Sequence, residues 1–155
     1  MPTHTDIRTA IKAKLQGIAN IGTVHDYERY AKDLPAFRTL YQADIAGVKQ
    51  VRGWYVRMLT RREASDYNGR WIVNINWRVQ GFMSLDDATA SEKTLDTLAE
   101  TLVAAFRNDE NLGGVVDTTI VGEDAGLQVE DSGPVMFGGV LCHSARCRLV
   151  TQHLE

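Results

Sequence analysis

The clearest signal along the chain is a strict alternation. Between Arg70 and Phe82, the apolar residues Trp71, Val73, Ile75, Trp77 and Val79 are separated by Asn74, Asn76, Arg78 and Gln80. A period of two predicts a strand with one buried and one wet face, as in an antiparallel sheet. Val51 to Arg61 follows the same rule, with Trp54, Val56 and Met58 alternating with Tyr55, Arg57, Leu59 and Arg61. Residues Arg62 to Gly69 lie between the two runs, and Asp66, Asn68 and Gly69 are turn formers. Together these segments predict a long hairpin with a polar, partly basic tip. It forms the centre of the sheet, with Trp71, Val73, Ile75 and Trp77 turned toward the helices.

Two segments carry the helical period instead. In Thr5 to Gly17, the residues Ile7, Ala10, Ile11 and Leu15, continued by Ile18, form one apolar stripe. Thr5 or Asp6 is expected to cap its start, and Gly17 to stop it in a left-handed conformation. In Ser84 to Arg107, the stripe is Leu95, Leu98, Ala99, Leu102, Val103 and Phe106. Thr89 followed by Glu92 predicts a capping box, and Asp86, Asp87 and Glu92 put negative charge near the helix start.

The remaining segments are shorter. Ile21 to His25 predicts a short strand. Tyr27 to Gln50 contains Pro35, Gly47 and the aromatics Tyr27, Tyr30, Phe37 and Tyr41 without a sustained period. It is expected to be an irregular connection with one helical turn, held down by its aromatics. After Gly113-Gly114, the β-branched run Val115 to Val121 predicts a strand and Leu127 to Asp131 a short one. Ser132-Gly133-Pro134 predicts a turn, and Val135 to Val150 a last strand broken or bulged near Gly138-Gly139. This order predicts an α+β fold: an antiparallel sheet built on a long hairpin, with two helices packed on one face.

Composition agrees with one folded unit. The chain has 155 residues, 44% hydrophobic and 24% charged, enough for one core and too few for two, so residues 1–155 are expected to form a single domain. Apolar runs are only a few residues long, far short of the ~18 that a membrane-spanning helix needs, so no membrane contact is expected. Met1 to Ile11 is polar and carries no apolar run, so no secretory leader is expected and the cytoplasm is the expected compartment.

Candidate chemistry is sparse. Cys142, His143 and Cys147 are the densest group of metal-ligand types, but zinc commonly takes a Cys-x2–4-Cys pair and four ligands. Here the spacing is Cys-x4-Cys and no other cysteine exists. On a strand, residues an odd number apart point to opposite faces, which argues against a shared metal or a disulfide, and adjacent Cys142 and His143 make a poor nucleophile–base pair. The cysteines are expected to be small buried hydrophobes. The carboxylate pairs Asp86-Asp87, Glu123-Asp124 and Glu130-Asp131 are adjacent in sequence and do not converge on one substrate. Gly113-Gly114 and Gly138-Gly139 precede strands, so neither offers an anion a helix N-terminus. These features predict no catalytic residues, no cofactor and no metal.

Charge is distributed unevenly. The net charge is −3, which argues against a general nucleic-acid binder. Lys49 to Arg78 carries seven basic and two acidic residues, a net +5, whereas Ser84 to Asp131 carries twelve acidic and two basic, a net −10. A molecule with opposed surfaces of this kind can pair head-to-tail with its own copies, and such contacts close into rings when the rotation allows. Arg57, Arg61, Arg62, Arg70 and Arg78 are therefore the candidate assembly interface. The alternative for Arg57, Arg61, Arg62 and Arg70 is contact with nucleic acid, with Tyr55 and Trp71 available for stacking, although the acidic remainder of the chain would repel a phosphate backbone.

Several phrases of the sequence carry a resemblance. These are Phe82-Met83-Ser84-Leu85-Asp86-Asp87 at the head of the acidic helix, Leu98-Ala99-Glu100 through Phe106-Arg107, and Leu112-Gly113-Gly114. With the order helix, irregular connection, basic hairpin, acidic helix and closing strands, the chain from about Ile7 to His153 resembles the tail terminator, or tail-completion, proteins of long-tailed bacteriophages. The resemblance implies an α+β protomer without enzymatic activity that assembles into a hexameric ring. That ring caps the tail tube, stops its polymerisation and offers a surface for head or neck joining. Its implied partners are the tail tube protein, a neck or head-completion protein and DNA passing through the ring, and its implied location is the virion tail or neck, after assembly in the bacterial host cytoplasm. The alternatives are another neck or head-completion component, or a small α+β ligand-binding domain or enzyme.

Overall fold

A computed structural model describes residues 1–155. In chain order the elements are α1 (His4–Gln16), β1 (Thr23–His25), α2 (Leu34–Thr39), β2 (Gln42–Ile45), β3 (Val48–Ser65) and β4 (Trp71–Ser84). They are followed by α3 (Ser91–Arg107), β5 (Ile120–Val121), β6 (Asp124–Ala125), β7 (Gln128–Phe137) and β8 (Val140–Leu154). The fold is α+β. Its main sheet runs β1-β3-β4-β8-β7, with β2 also paired to β3. The β3–β4 hairpin and β8 are its long central members. β8 follows β4 from Ile72↔Leu154 to Ser84↔Cys142, and β1 alone is parallel to its neighbour β3.

The alternation of β4 sets the two faces. Val73, Ile75, Trp77, Val79 and Met83 point to one side, joined by Trp54 and Val56 of β3 and by Ala145, Cys147 and Leu149 of β8. Both amphipathic helices cover this side: α1 through Ile7, Ile11 and Leu15, and α3 through Leu95, Leu98, Leu102 and Phe106. Trp77 is fully buried, and its indole Nε1–H donates to Thr151 Oγ1 at 2.9 Å. Gly81 is required where Trp54 crosses β4, because a Cβ there would overlap the indole ring. Trp71, expected in this row, lies beyond the helices and is about half exposed.

The opposite face is covered only near the Ser84 end. There α2 and β2 bring Phe37 and Tyr41 over Phe82, Phe137, Tyr55 and Cys142 as a second, mainly aromatic core. The segment expected to be irregular thus holds a six-residue helix and a tight hairpin, β2–β3. Only two of its four aromatics, Phe37 and Tyr41, anchor it; Tyr27 and Tyr30 are exposed.

Several boundaries differ from expectation for local reasons. Thr3, not Thr5 or Asp6, caps α1, and it forms a capping box with Asp6; Gly17 ends the helix in a right-handed conformation. α3 has no Thr89–Glu92 box. Its cap is Ala90 in a left-handed conformation, and Ser91 is turned inward. Val115 to Thr119 is not a strand, although Val116 is buried. The amides of Val116 to Thr119 are taken by backbone oxygens of Asn111, Gln152 and Glu110, leaving only Ile120–Val121 to pair with β6. Ser132-Gly133-Pro134 continues β7 rather than turning. β7 is an edge strand, where proline is tolerated. Gly138-Gly139 makes the β7–β8 turn, with φ of +56° and +79° at the two glycines, in place of a break within one strand.

Candidate assembly surfaces

Beyond the aromatic core, the face of the sheet away from α1 and α3 is uncovered and polar. Register places Arg57 of β3 directly opposite Arg78 of β4, and Arg78 directly opposite Arg148 of β8. The next side chain of β8 on the same face is Arg146, opposite Gln80. Directly opposed residues have Cβ atoms roughly 4.5–5.5 Å apart, and like charges there are destabilising. The ends of this row are compensated from within the chain. Arg57 meets Glu28 at 2.9 Å, Arg148 meets Asp124 at 3.0 Å and Glu130 at 3.1 Å, and Arg146 meets Asp131 at 3.6 Å. The middle is not. Arg78 has no ion pair or side-chain hydrogen bond, and its Nε is buried without a partner.

The neighbouring row is closed by hydrogen bonds. Tyr55 Oη donates to Gln80 Oε1 at 2.7 Å, and Gln80 Nε2 donates to Ser144 Oγ at 3.0 Å. Burial first, then the charge of Glu28, pushes the Tyr55 phenol up to about 12, so it stays a donor. The arginine row is thus framed by a neutral, satisfied polar row and by acids at its two edges. Chemically, it offers one planar guanidinium fork in a frame of others, suited to a carboxylate or phosphate oxygen.

The five arginines expected to share an interface fall in three places. Arg57 and Arg78 form the row. Arg61 lies along the helix-covered side, bound to Glu63 at 2.6 Å, to Glu155 at 3.2 Å and to His4 Nε2 at 3.0 Å. It ties the chain ends to β3 and is not free for a partner. Arg62 is exposed on the open face toward the hairpin tip, opposite Asn74 and without an ion pair. Arg70 lies in the tip itself, where its Nε meets Asp66 at 2.8 Å. Arg146 and Arg148 were absent from the sequence expectation. Their only sequence signal is the parity Ser144-Arg146-Arg148, which acquires meaning once β8 is placed beside β4.

The acidic segment is partly spent inside the protomer. Asp109 meets Lys14 at 2.5 Å, and that contact holds its carboxyl below the usual range. Asp124, Glu130 and Asp131 serve the arginine row. Asp86, Asp87, Glu92, Asp96 and Glu100 remain exposed at the start of α3 and along its outer side, without ion-pair partners.

A groove of about 450 Å³ opens at that end of the molecule, between the start of α3 and the β7–β8 hairpin. Leu85, Pro134 and His143 line it, with Asp87, Glu92 and Lys93 at its sides. His143 Nε2 lies 2.7 Å from Ser91 Oγ, which also accepts from the Asp86 amide at 2.8 Å. This contact satisfies a buried imidazole nitrogen and fixes the first residue of α3 against β8. Cys142 and Cys147 fall in separate cores on opposite faces of the sheet. Burial raises both thiols, Cys147 to about 12. No group of three His, Cys, Asp or Glu side chains stands close enough to share a metal ion. No helix is long and apolar enough to cross a membrane.

No protein-family model matches this chain, and no curated protein matches it.

Proposed function

We propose that the chain is a structural assembly protein: the protomer of a homo-oligomeric ring, six-fold in the tail terminator pattern, that caps a phage tail tube. The observation that supports this most is Arg78, held between Arg57 and Arg148 on an uncovered sheet face with no acid of its own. An isolated protomer gains nothing from three arginines in register, whereas an approaching carboxylate surface converts the same row from repulsion into recognition. The two-layer fold gives each protomer unlike sides, helical and acidic on one, open and arginine-bearing on the other. Unlike sides favour heterologous contacts, which close into rings.

In such a ring, one rim would match the end of the tail tube and stop its growth, and the other would meet a neck or head-completion protein. DNA would pass through the centre. The mechanism is surface complementarity and needs no bond-making step. Negative-stain imaging of the purified protein with tail tubes tests it: rings seated on tube ends and tubes of fixed length are expected, and bare tube ends of unregulated length beside dispersed small particles would oppose it.

A further inference from the structure

We infer that the tip of the β3–β4 hairpin docks into the groove at the start of α3 of a second copy of this chain. The inference rests on the ring reading above and names the contact that builds the ring.

The tip holds an aromatic side chain in water on a fixed mount. Tyr67 is 96% exposed and adopts φ of +62°, a left-handed conformation that tyrosine rarely takes. The turn is locked beneath it. Asp66 Oδ1 accepts from the amides of Asn68 at 2.7 Å and Arg70 at 3.0 Å, and Asp66 Oδ2 accepts from Arg70 Nε at 2.8 Å. Ser65 Oγ accepts from the Tyr67 amide at 3.0 Å. Trp71, about half exposed, stands at the base of the tip. A rigid tip bearing Tyr and Trp beside arginine has the composition of an interface anchor, and its rigidity lowers the ordering cost of docking.

The complementary surface lies at the far end of the same strand. β4 begins at the tip with Trp71 and ends at Ser84, just before Leu85 of the groove. Its 14 residues span roughly 46 Å at ~3.3 Å per residue, so a tip cannot reach its own groove. The groove offers Leu85 and Pro134 as apolar walls, and the exposed cross-strand pair Met136 and Leu141 continues that patch along β7–β8. Its volume of about 450 Å³ admits a tyrosine ring. Charge agrees in sign. Arg62 is the unmatched charge near the tip, since Arg61 and Arg70 already meet acids, whereas Asp87 and Glu92 are unmatched at the groove and outnumber Lys93. Donor and acceptor surfaces at opposite ends of one protomer define a head-to-tail contact, the kind that propagates and closes.

The test uses two disrupting variants, one conservative control and native mass measurement. Tyr67→Ser removes the anchor while leaving the Asp66 hydrogen bonds intact, and Tyr67→Phe keeps the ring. Leu85→Arg with Asp87→Arg fills the groove and reverses its charge at two exposed positions. Circular dichroism and thermal unfolding confirm that each protomer folds. Expected are rings for wild type and Tyr67→Phe, and monomers for Tyr67→Ser and for the groove variant alone. An equimolar mixture of those two should give one-to-one dimers, because the mixture holds one working tip and one working groove. The concentration for half-assembly should rise at least about tenfold for either variant, the loss typical of an anchor residue. Rings retained by both variants would overturn the contact and leave the ring standing, as would folded variants whose mixture stays monomeric. A monomeric wild type would overturn both.

Discussion

Arg78 stands directly opposite Arg57 across the central hairpin, and no acid of the chain reaches it. In a monomer this is a local penalty, because like charges in register on one sheet face repel. Sites that keep such a penalty are typically shaped by function, and relieving it stabilises the fold at the expense of activity. Arg78→Gln should therefore raise protomer stability by about 0.2–1 kcal/mol in chemical denaturation, while shifting assembly to higher protein concentration. A loss of stability on that substitution would show that the guanidinium supports the fold itself.

The main core contains a buried polar contact. The Trp77 indole donates to Thr151 beneath the two helices. Thr151→Val keeps the shape but leaves the N–H without an acceptor, which should cost about 1–3 kcal/mol. Trp77→Ala removes the whole side chain and should cost about 3–5 kcal/mol. Urea denaturation of the two variants at one pH measures both, and the order of the two losses is the diagnostic.

Gly81 provides a sharper steric test. Its missing Cβ leaves room for the Trp54 ring, and a methyl group there would run into that ring. Overpacking in a core costs typically ~1–3 kcal/mol, so Gly81→Ala should lower the melting temperature although alanine suits a strand no worse than glycine. Pairing it with Trp54→Leu should recover part of that loss, since the clash is with the indole.

The cysteines give a pH signature. Burial raises the Cys147 thiol to about 12 and raises Cys142 as well. For an acid held protonated by burial, the folded state keeps its proton while the unfolded chain releases it. Stability from these groups is thus fully present below the ordinary thiol value of 9.0 and falls as pH rises from there toward the folded value of about 12. A thiol reagent at mildly alkaline pH should label neither cysteine in the native protein and both after denaturation. Rapid native labelling of either would contradict its placement in the two cores.

Much of the architecture was legible from periodicity. The parity of residues 73–79 identified the helix-covered face, and the odd spacing of Cys142 and Cys147 placed them on opposite sides. Two helical stripes correctly supplied the covering layer. What periodicity could not reveal was which strands lie side by side. The arginine row exists only because β8 pairs with β4 in one register, bringing Arg148 beside Arg78 from a distant part of the sequence. The Thr89–Glu92 signal failed because Ser91 is drawn inward by His143, a tertiary contact that overrides local capping. Ser132-Gly133-Pro134 misled for a similar reason: at a sheet edge, turn formers can sit within a strand without losing a hydrogen bond. Tyr67 carried no sequence signal beyond its place in a turn, since only the structure shows how firmly that turn is held.

The five arginines chosen from charge alone illustrate the same limit. Arg61 and Arg70 are engaged by Glu155, Glu63 and Asp66, so reversing their charge would test the fold more than assembly. Arg57 is likewise held by Glu28, so Arg62 and Arg78, which have no ion-pair partner, are the informative positions. Exposed pairs contribute only about 0.2–1 kcal/mol each, so the combined reversal Arg62→Glu with Arg78→Glu should be needed to disrupt assembly at physiological salt. Sedimentation velocity at low and high salt measures this. The variant should assemble poorly at both, and its salt dependence should be smaller than that of wild type because the screened attraction has been removed.

The most direct measurement is the native mass of the wild-type protein across a wide concentration range. Head-to-tail closure predicts one discrete species at an integer multiple of the 17.3 kDa protomer, at six-fold stoichiometry for a tail-capping ring, with no ladder of longer chains. A single 17.3 kDa species at every concentration, or a dimer that grows no further, would contradict it.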